Sequence, residues 1–178
     1  MVYMMKMEVD GGCRRNGSPN AIGAAAIVVV RKYGGWRSWT RDLPDYPAPT
    51  SQRAELTAII FALEKALEKA ESLDYNPFMR VRIFTDSKYA HGCMTDWSFK
   101  WRNNGWINSA GNEVANRDLI EEAVDLDDRL EQYGKVTYGW IPRDQNSTAD
   151  QAVRDRLDEI DGHDTEMQDG YQSSSDEY

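Results

Sequence analysis

From Val2 to Val9 the chain alternates Val2, Met4 and Lys6 with Tyr3, Met5 and Met7, which predicts a strand, and Asp10-Gly11-Gly12 follows as a turn signal. A second strand is expected over Ala24 to Val30. Gly34-Gly35 marks a hairpin, and Trp36 to Arg41 returns as a third strand, giving an antiparallel three-stranded unit. Pro44, Pro47 and Pro49 exclude regular structure until Thr50. From Ser51 the apolar residues Leu56, Ile59, Ile60, Leu63, Ala66, Leu67 and Ala70 recur at intervals of three and four, the signature of a long amphipathic helix.

Met79 to Thr85 reads as a short β-branched strand. Asp86-Ser87 opens a helical stretch toward Trp97, and Asn103 to Gly105 is a turn. A helix is expected over Val114 to Gln132, a last strand over Val136 to Ile141, and a final helix from Ser147 to about Ile160. A meander followed by strands alternating with helices indicates an α/β domain built on one mixed sheet with helices on its faces.

The 178-residue chain carries a formal net charge of -9, an unpromising balance for a protein that binds a polyanion. The charge is unevenly placed. Asp155 to Tyr178 holds nine acids and one base, so residues 1–154 hold 21 acids and 20 bases and are almost neutral. The segment from Gly162 on has few apolar residues and no period. It reads as a disordered acidic tail, which divides the chain into a domain over 1–160 and a tail over 161–178. Cys13 and Cys93 form no Cys-x-x-Cys pair, which fits a reducing compartment and excludes a zinc or disulfide framework. The first ten residues include Lys6 and Glu8 where a signal peptide would be apolar, and no run reaches membrane-spanning length. A soluble intracellular protein, cytoplasmic or nuclear, with no membrane partner is expected.

Four acids stand out by placement. Asp10 and Asp86 end separate predicted strands, Glu55 lies at the edge of the apolar stripe of the long helix, and Asp150 starts the last helix. Each has an ordinary structural reading as a turn former, a first-turn acid or a cap. Together, at one end of a sheet, they would repel one another unless a cation lay among them. Oxygen ligands without thiol or imidazole suit Mg²⁺ or Mn²⁺. Two such ions about 3.5–4 Å apart can activate water and stabilise the leaving oxygen of a phosphodiester.

The strings carrying these acids are Asp10-Gly-Gly-Cys-Arg-Arg-Asn16-Gly, Thr50-Ser-Gln-Arg-Ala-Glu55-Leu and Phe84-Thr-Asp86-Ser-Lys-Tyr. In that order they resemble the type 1 ribonuclease H family. Met94 to Trp97, Trp101 to Trp106 and Ser109 to Gly111 resemble that family's helix and substrate-binding protrusion, so the similarity covers about Met1 to Leu157. It implies a five-stranded mixed sheet, three strands antiparallel and then two parallel, with helices on both faces. It also implies an endonuclease that hydrolyses the RNA strand of RNA/DNA hybrids to 5'-phosphate and 3'-hydroxyl ends. Asp10, Glu55, Asp86 and Asp150 become the implied catalytic metal ligands, holding Mg²⁺ or Mn²⁺ as two ions. Cys13, Arg14, Asn16, Ser51 and Gln52 match contacts to RNA 2'-hydroxyls, the groups that distinguish RNA from DNA. Thr50 and Asn116 match a DNA-phosphate pocket, while Trp97 and Trp101 match the DNA-strand channel or, read without the family, a buried aromatic pair.

Two departures temper the match. Ser51 stands where the family usually has asparagine, and the loop from Trp140 to Asp150 is short and lacks the family's frequent histidine. Arg143 can place positive charge there but is no proton shuttle at neutral pH. The protrusion is thinly basic, with Lys88, Lys100 and Arg102 against Asp96, so weaker and more salt-sensitive binding is expected. The expected enzyme is a monomer acting on RNA/DNA hybrid. The alternatives are a catalytically weak or inactive hybrid-binding relative, and a protein-interaction module with an acidic tail.

Overall fold

The computed structural model describes the backbone of residues 1–172 and the side chains of residues 1–163. Five strands form one sheet in the order β3-β2-β1-β4-β5, with β1 spanning Val2–Arg14, β2 Ile22–Val30, β3 Trp36–Asp42, β4 Phe78–Thr85 and β5 Gly134–Trp140. The β1–β2 and β2–β3 pairs are antiparallel and the β1–β4 and β4–β5 pairs parallel, as expected of the mixed sheet. Helix α1 (Ser51–Ser72) and helix α4 (Arg117–Glu131) cover one face, and α5 (Ser147–Gln172) crosses the other.

The period-two pattern of β1 supplies the main core. Met5, Met7 and Val9 point to the α1 face and pack with Ala58, Ile59, Ala62 and Leu63. Ala24 and Ala26 of β2 turn the other way and receive Val153 and Leu157 of α5. Small residues on both partners let the helices lie close to the sheet. A satellite cluster of Leu56, Cys93, Trp106, Val114 and Ile120 ties α1 to the protrusion. No helix among the described residues is long and apolar enough to cross a membrane.

Several boundaries differ from the sequence expectation. Asp10-Gly11-Gly12 does not end β1, which runs on to Arg14 because both glycines are paired with β2 at Ala25 and Ala24. The helix expected from Asp86-Ser87 to Trp97 is α2 (Lys88–Gly92), a π-helical turn (Cys93–Trp97) and α3 (Ser98–Asn104). Ser87, not Asp86, is its cap, its hydroxyl accepting from the Ala90 N–H at 3.0 Å. Helix α4 starts at Arg117, since Asn116 adopts a left-handed conformation at φ 59°. Helix α5 continues past Ile160 to Gln172, so the boundary expected at residue 160 falls inside a helix whose Asp158 and Asp161 are anchored to Arg14. The last six positions expected in the tail, 173–178, lie outside the described residues.

Candidate active site

Parallel pairing aligns the first two acids. Val9 of β1 is in register with Thr85 of β4, so Asp10 and Asp86 each follow the last paired position and sit side by side. This is the carboxyl end of the parallel strands, where open α/β sheets ordinarily place their ligands. Glu55 reaches the same point from the first turns of α1 because Gly11 permits the approach. A Cβ at Gly11 would lie 2.2 Å from the Ala54 carbonyl carbon, so only glycine lets α1 come this near β1. Gly12 does the same for α5 on the opposite face, where a Cβ would meet Val153 Cγ1 at 2.7 Å.

Asp10, Glu55 and Asp86 each offer a carboxylate oxygen within 4.8 Å of the others. Burial is the main reason all three are hard to ionise. It pushes Asp10 up to about 7, with the charges of Asp86 and Asp150 adding to the effect. Glu55 is raised well above the usual range by burial and then by Asp10 and Asp86. Asp86 is raised by burial, against the opposing influence of Arg143 and the Asn146 amide. Glu55 Oε2 is buried without a hydrogen-bond partner. A repulsive carboxylate group with an unsatisfied oxygen fits a hard divalent cation.

Asp150 lies outside that trio but close enough for its charge to raise Asp10 and Asp86. Its carboxylate is shared by Arg154 at 2.9 Å and Arg143 at 3.7 Å. Arg143 is itself largely exposed at the rim.

The remaining expected residues surround this end of the sheet. Cys13 Sγ–H donates to the Pro49 carbonyl at 3.4 Å, bringing the end of β1 beside Thr50, Ser51 and Gln52. Asn16, Ser51 and Gln52 are exposed. Arg14 is already engaged: its guanidinium contacts Asp158 at 2.6 Å and Asp161 at 2.7 Å. Thr50 caps α1, its hydroxyl accepting from the Arg53 N–H at 3.1 Å. Asn116 donates to the Tyr89 hydroxyl at 3.0 Å and accepts from Arg53 Nη1 at 3.4 Å, so Arg53 links the two. Trp97 and Trp101 lie 6.0 Å apart within a run from Tyr89 to Trp106. Trp97 is 37% exposed, which removes the fully buried reading for it, whereas Trp101 packs on the satellite cluster.

Sequence reasoning missed Asn146, Arg53 and Arg154. Asn146 is fully buried and donates from Nδ2 to the Val9 carbonyl at 2.8 Å, fixing the backbone next to Asp10. Its partner is 137 residues away, so no local pattern marks it. Arg53, within the Thr50-to-Leu56 string, carried a local signal in its place three residues after a capping threonine. Arg154 carried one too, four residues after Asp150 on a helix.

Known proteins resemble this chain along most of its length. The family model for RNase H matches residues 4–158. A ribonuclease H from Hydrogenovibrio crunogenus is 30% identical over 162 residues, covering 89% of this chain and 98% of its own. One from Anaeromyxobacter dehalogenans is 35% identical, covering 83% and 74%. Among solved structures, LC9-RNase H1, described as a type 1 RNase H with the type 2 active-site motif, superposes with a TM-score of 0.64 at 25% identity. It matches over 86% of this chain and 71% of its own. A foamy viral protease-reverse transcriptase in complex with RNA/DNA hybrid shares the fold, with a TM-score of 0.68 at 22% identity over 86% of this chain and 20% of that one. With a five-stranded mixed sheet that brings together Asp10 of β1, Glu55 of α1 and Asp86 just after β4, and relatives matched along most of their length, this chain belongs to the RNase H family and is a ribonuclease H.

Proposed function

We propose that the protein cuts the RNA strand of RNA/DNA hybrids at the Asp10–Glu55–Asp86 cluster, leaving 5'-phosphate and 3'-hydroxyl ends. The convergence of three carboxylate oxygens within 4.8 Å carries the reading. Asp10, Glu55, Asp86 and Asp150 are the residues that hold the divalent cations, two Mg²⁺ or Mn²⁺ ions. Bound there, such ions supply a reactive water and neutralise charge on the leaving oxygen. Glu55 Oε2, buried and unpaired, is the oxygen with most to gain from a cation. Arg154 holds Asp150 in place, and Arg143 adds a positive charge at the rim where a phosphate approaches.

Substrate selection falls to the surrounding residues. Cys13, Arg14, Asn16, Ser51 and Gln52 face the RNA strand, and their thiol, guanidinium, amide and hydroxyl groups suit 2'-hydroxyls. Thr50, Asn116 and Arg53 offer polar groups to a DNA phosphate, while Trp97 and Trp101 present ring faces to the deoxyribose side. The hybrid bound by the foamy viral relative is the substrate class this arrangement suits.

The test is a panel of end-labelled substrates in Mg²⁺. Hybrid is expected to be cut in its RNA strand with 3'-hydroxyl ends, and duplex RNA and duplex DNA left intact. Cutting of duplex RNA at a comparable rate would refute the assignment of hybrid as substrate.

A further inference from the structure

A second site lies at the opposite end of β1, on the order of 20 Å from Asp10 along the strand. Strand β1 pairs with β4 from Val2 onward but with β2 only from Lys6 onward. Val2 to Met5 therefore have no strand partner on the β2 side among the described residues. The gap between this edge and the β2–β3 hairpin is a notch of about 940 Å³, open to solvent. Its walls include Tyr3, Met5, Val29 and Trp39.

The notch is strongly basic. Lys6, Arg37 and Arg82 line it from the sheet, Arg31 and Lys32 from the loop between β2 and β3, and Lys65 and Lys69 from α1. These are seven of the chain's 21 lysines and arginines, and Glu68, 3.8 Å from Lys65, is the one acid among the lining residues. Lys65 and Arg37 hold their charges over the Trp39 ring, and Lys69 over Tyr3, so the cations are ordered against apolar walls. Cations around an open edge ordinarily guard against aggregation. Guarding alone needs neither an apolar floor nor a third of the molecule's positive charge.

We infer that this notch is a docking site for an acidic, extended peptide from a partner protein, which adds as a strand along Val2 to Met5. An unpaired edge gives such a peptide backbone hydrogen bonds, the floor takes its apolar side chains, and the rim takes its carboxylates. A nucleic-acid strand would use the charge but has no peptide groups to match the edge.

The experiment titrates the full chain into a fluorescein-labelled peptide of about six alternating glutamates and valines, an ordinary strand length. The same peptide with alternate backbone amides N-methylated serves as a second probe, and single-stranded oligodeoxynucleotide as competitor. Saturable binding is expected, weakened at least about tenfold by Lys65→Glu with Lys69→Glu and to a similar extent by N-methylation. Hybrid cleavage by that double variant should be unchanged, which also shows that it folds. No binding to about 1 mM would overturn the inference. So would equal binding of the N-methylated peptide, or efficient displacement by oligonucleotide; either would mark a general polyanion patch.

Discussion

Asp10 is nine-tenths and more buried beside two other carboxyls, and that cost has a measurable sign. A carboxyl whose folded value is raised, here from 3.8 to about 7, binds protons more tightly folded than unfolded. In chelator, stability should therefore be greatest below pH 4 as far as this group is concerned, and fall as pH rises toward 7. Asp10→Asn removes the charge and should stabilise the chelated protein by about 2 kcal/mol at pH 8, while abolishing cleavage. Urea denaturation of both proteins at pH 5 and pH 8 checks this; equal stability at pH 8 would contradict it. Asn146→Ala should cost about 1–3 kcal/mol, because it strips the Val9 carbonyl of a buried donor. The acids were legible in the sequence because each follows a local strand or helix signal. Asn146 was not, since its role is set by a partner distant in the chain.

The elements converge on the site through two adjacent glycines with different tolerances. At Gly11 an added methyl would strike backbone atoms of α1, which can yield only if strand and helix separate. At Gly12 it would strike a side-chain atom, Val153 Cγ1, and no backbone, so the clash is the smaller of the two. Gly11→Ala should thus cost more than about 3 kcal/mol and Gly12→Ala about 1. Thermal unfolding of the two variants tests the ranking, and the reverse order would refute the packing account. This is where reading the sequence fell short among the elements. Asp-Gly-Gly has the composition of a turn, and only the distant helices reveal that the glycines provide closeness instead of a bend. The long helix α1 and the strands were legible because their periods of 3.6 and 2 are local. The π-helical turn at Cys93–Trp97 has no such signature. It coincides with Trp97 lying over Gly92, where a Cβ would be 2.7 Å from the ring.

Across the whole molecule, the near-neutral charge of residues 1–154 conceals a division of labour. Positive charge gathers in the notch at one end of β1, whereas at the other end Arg14 and Arg15 are partly neutralised by α5. Asp158→Asn with Asp161→Asn should release Arg14 to the substrate, lowering KM for hybrid about threefold or more at low salt and steepening its salt dependence. Unchanged KM across a salt series would show that these pairs do not compete with substrate. The sequence located the acidic surplus but not its partners, since these ion pairs join residues at opposite ends of the chain.

The most direct measurement is the rate of hybrid cleavage by chelated protein as Mg²⁺ is added back, for wild type and Glu55→Gln. The wild-type protein should be silent in chelator and recover with Mg²⁺, while Glu55→Gln stays at least about a hundredfold slower at every concentration. Cleavage without divalent cation, or a Glu55→Gln variant as fast as wild type, would contradict the assignment of the carboxylate cluster as the site of catalysis.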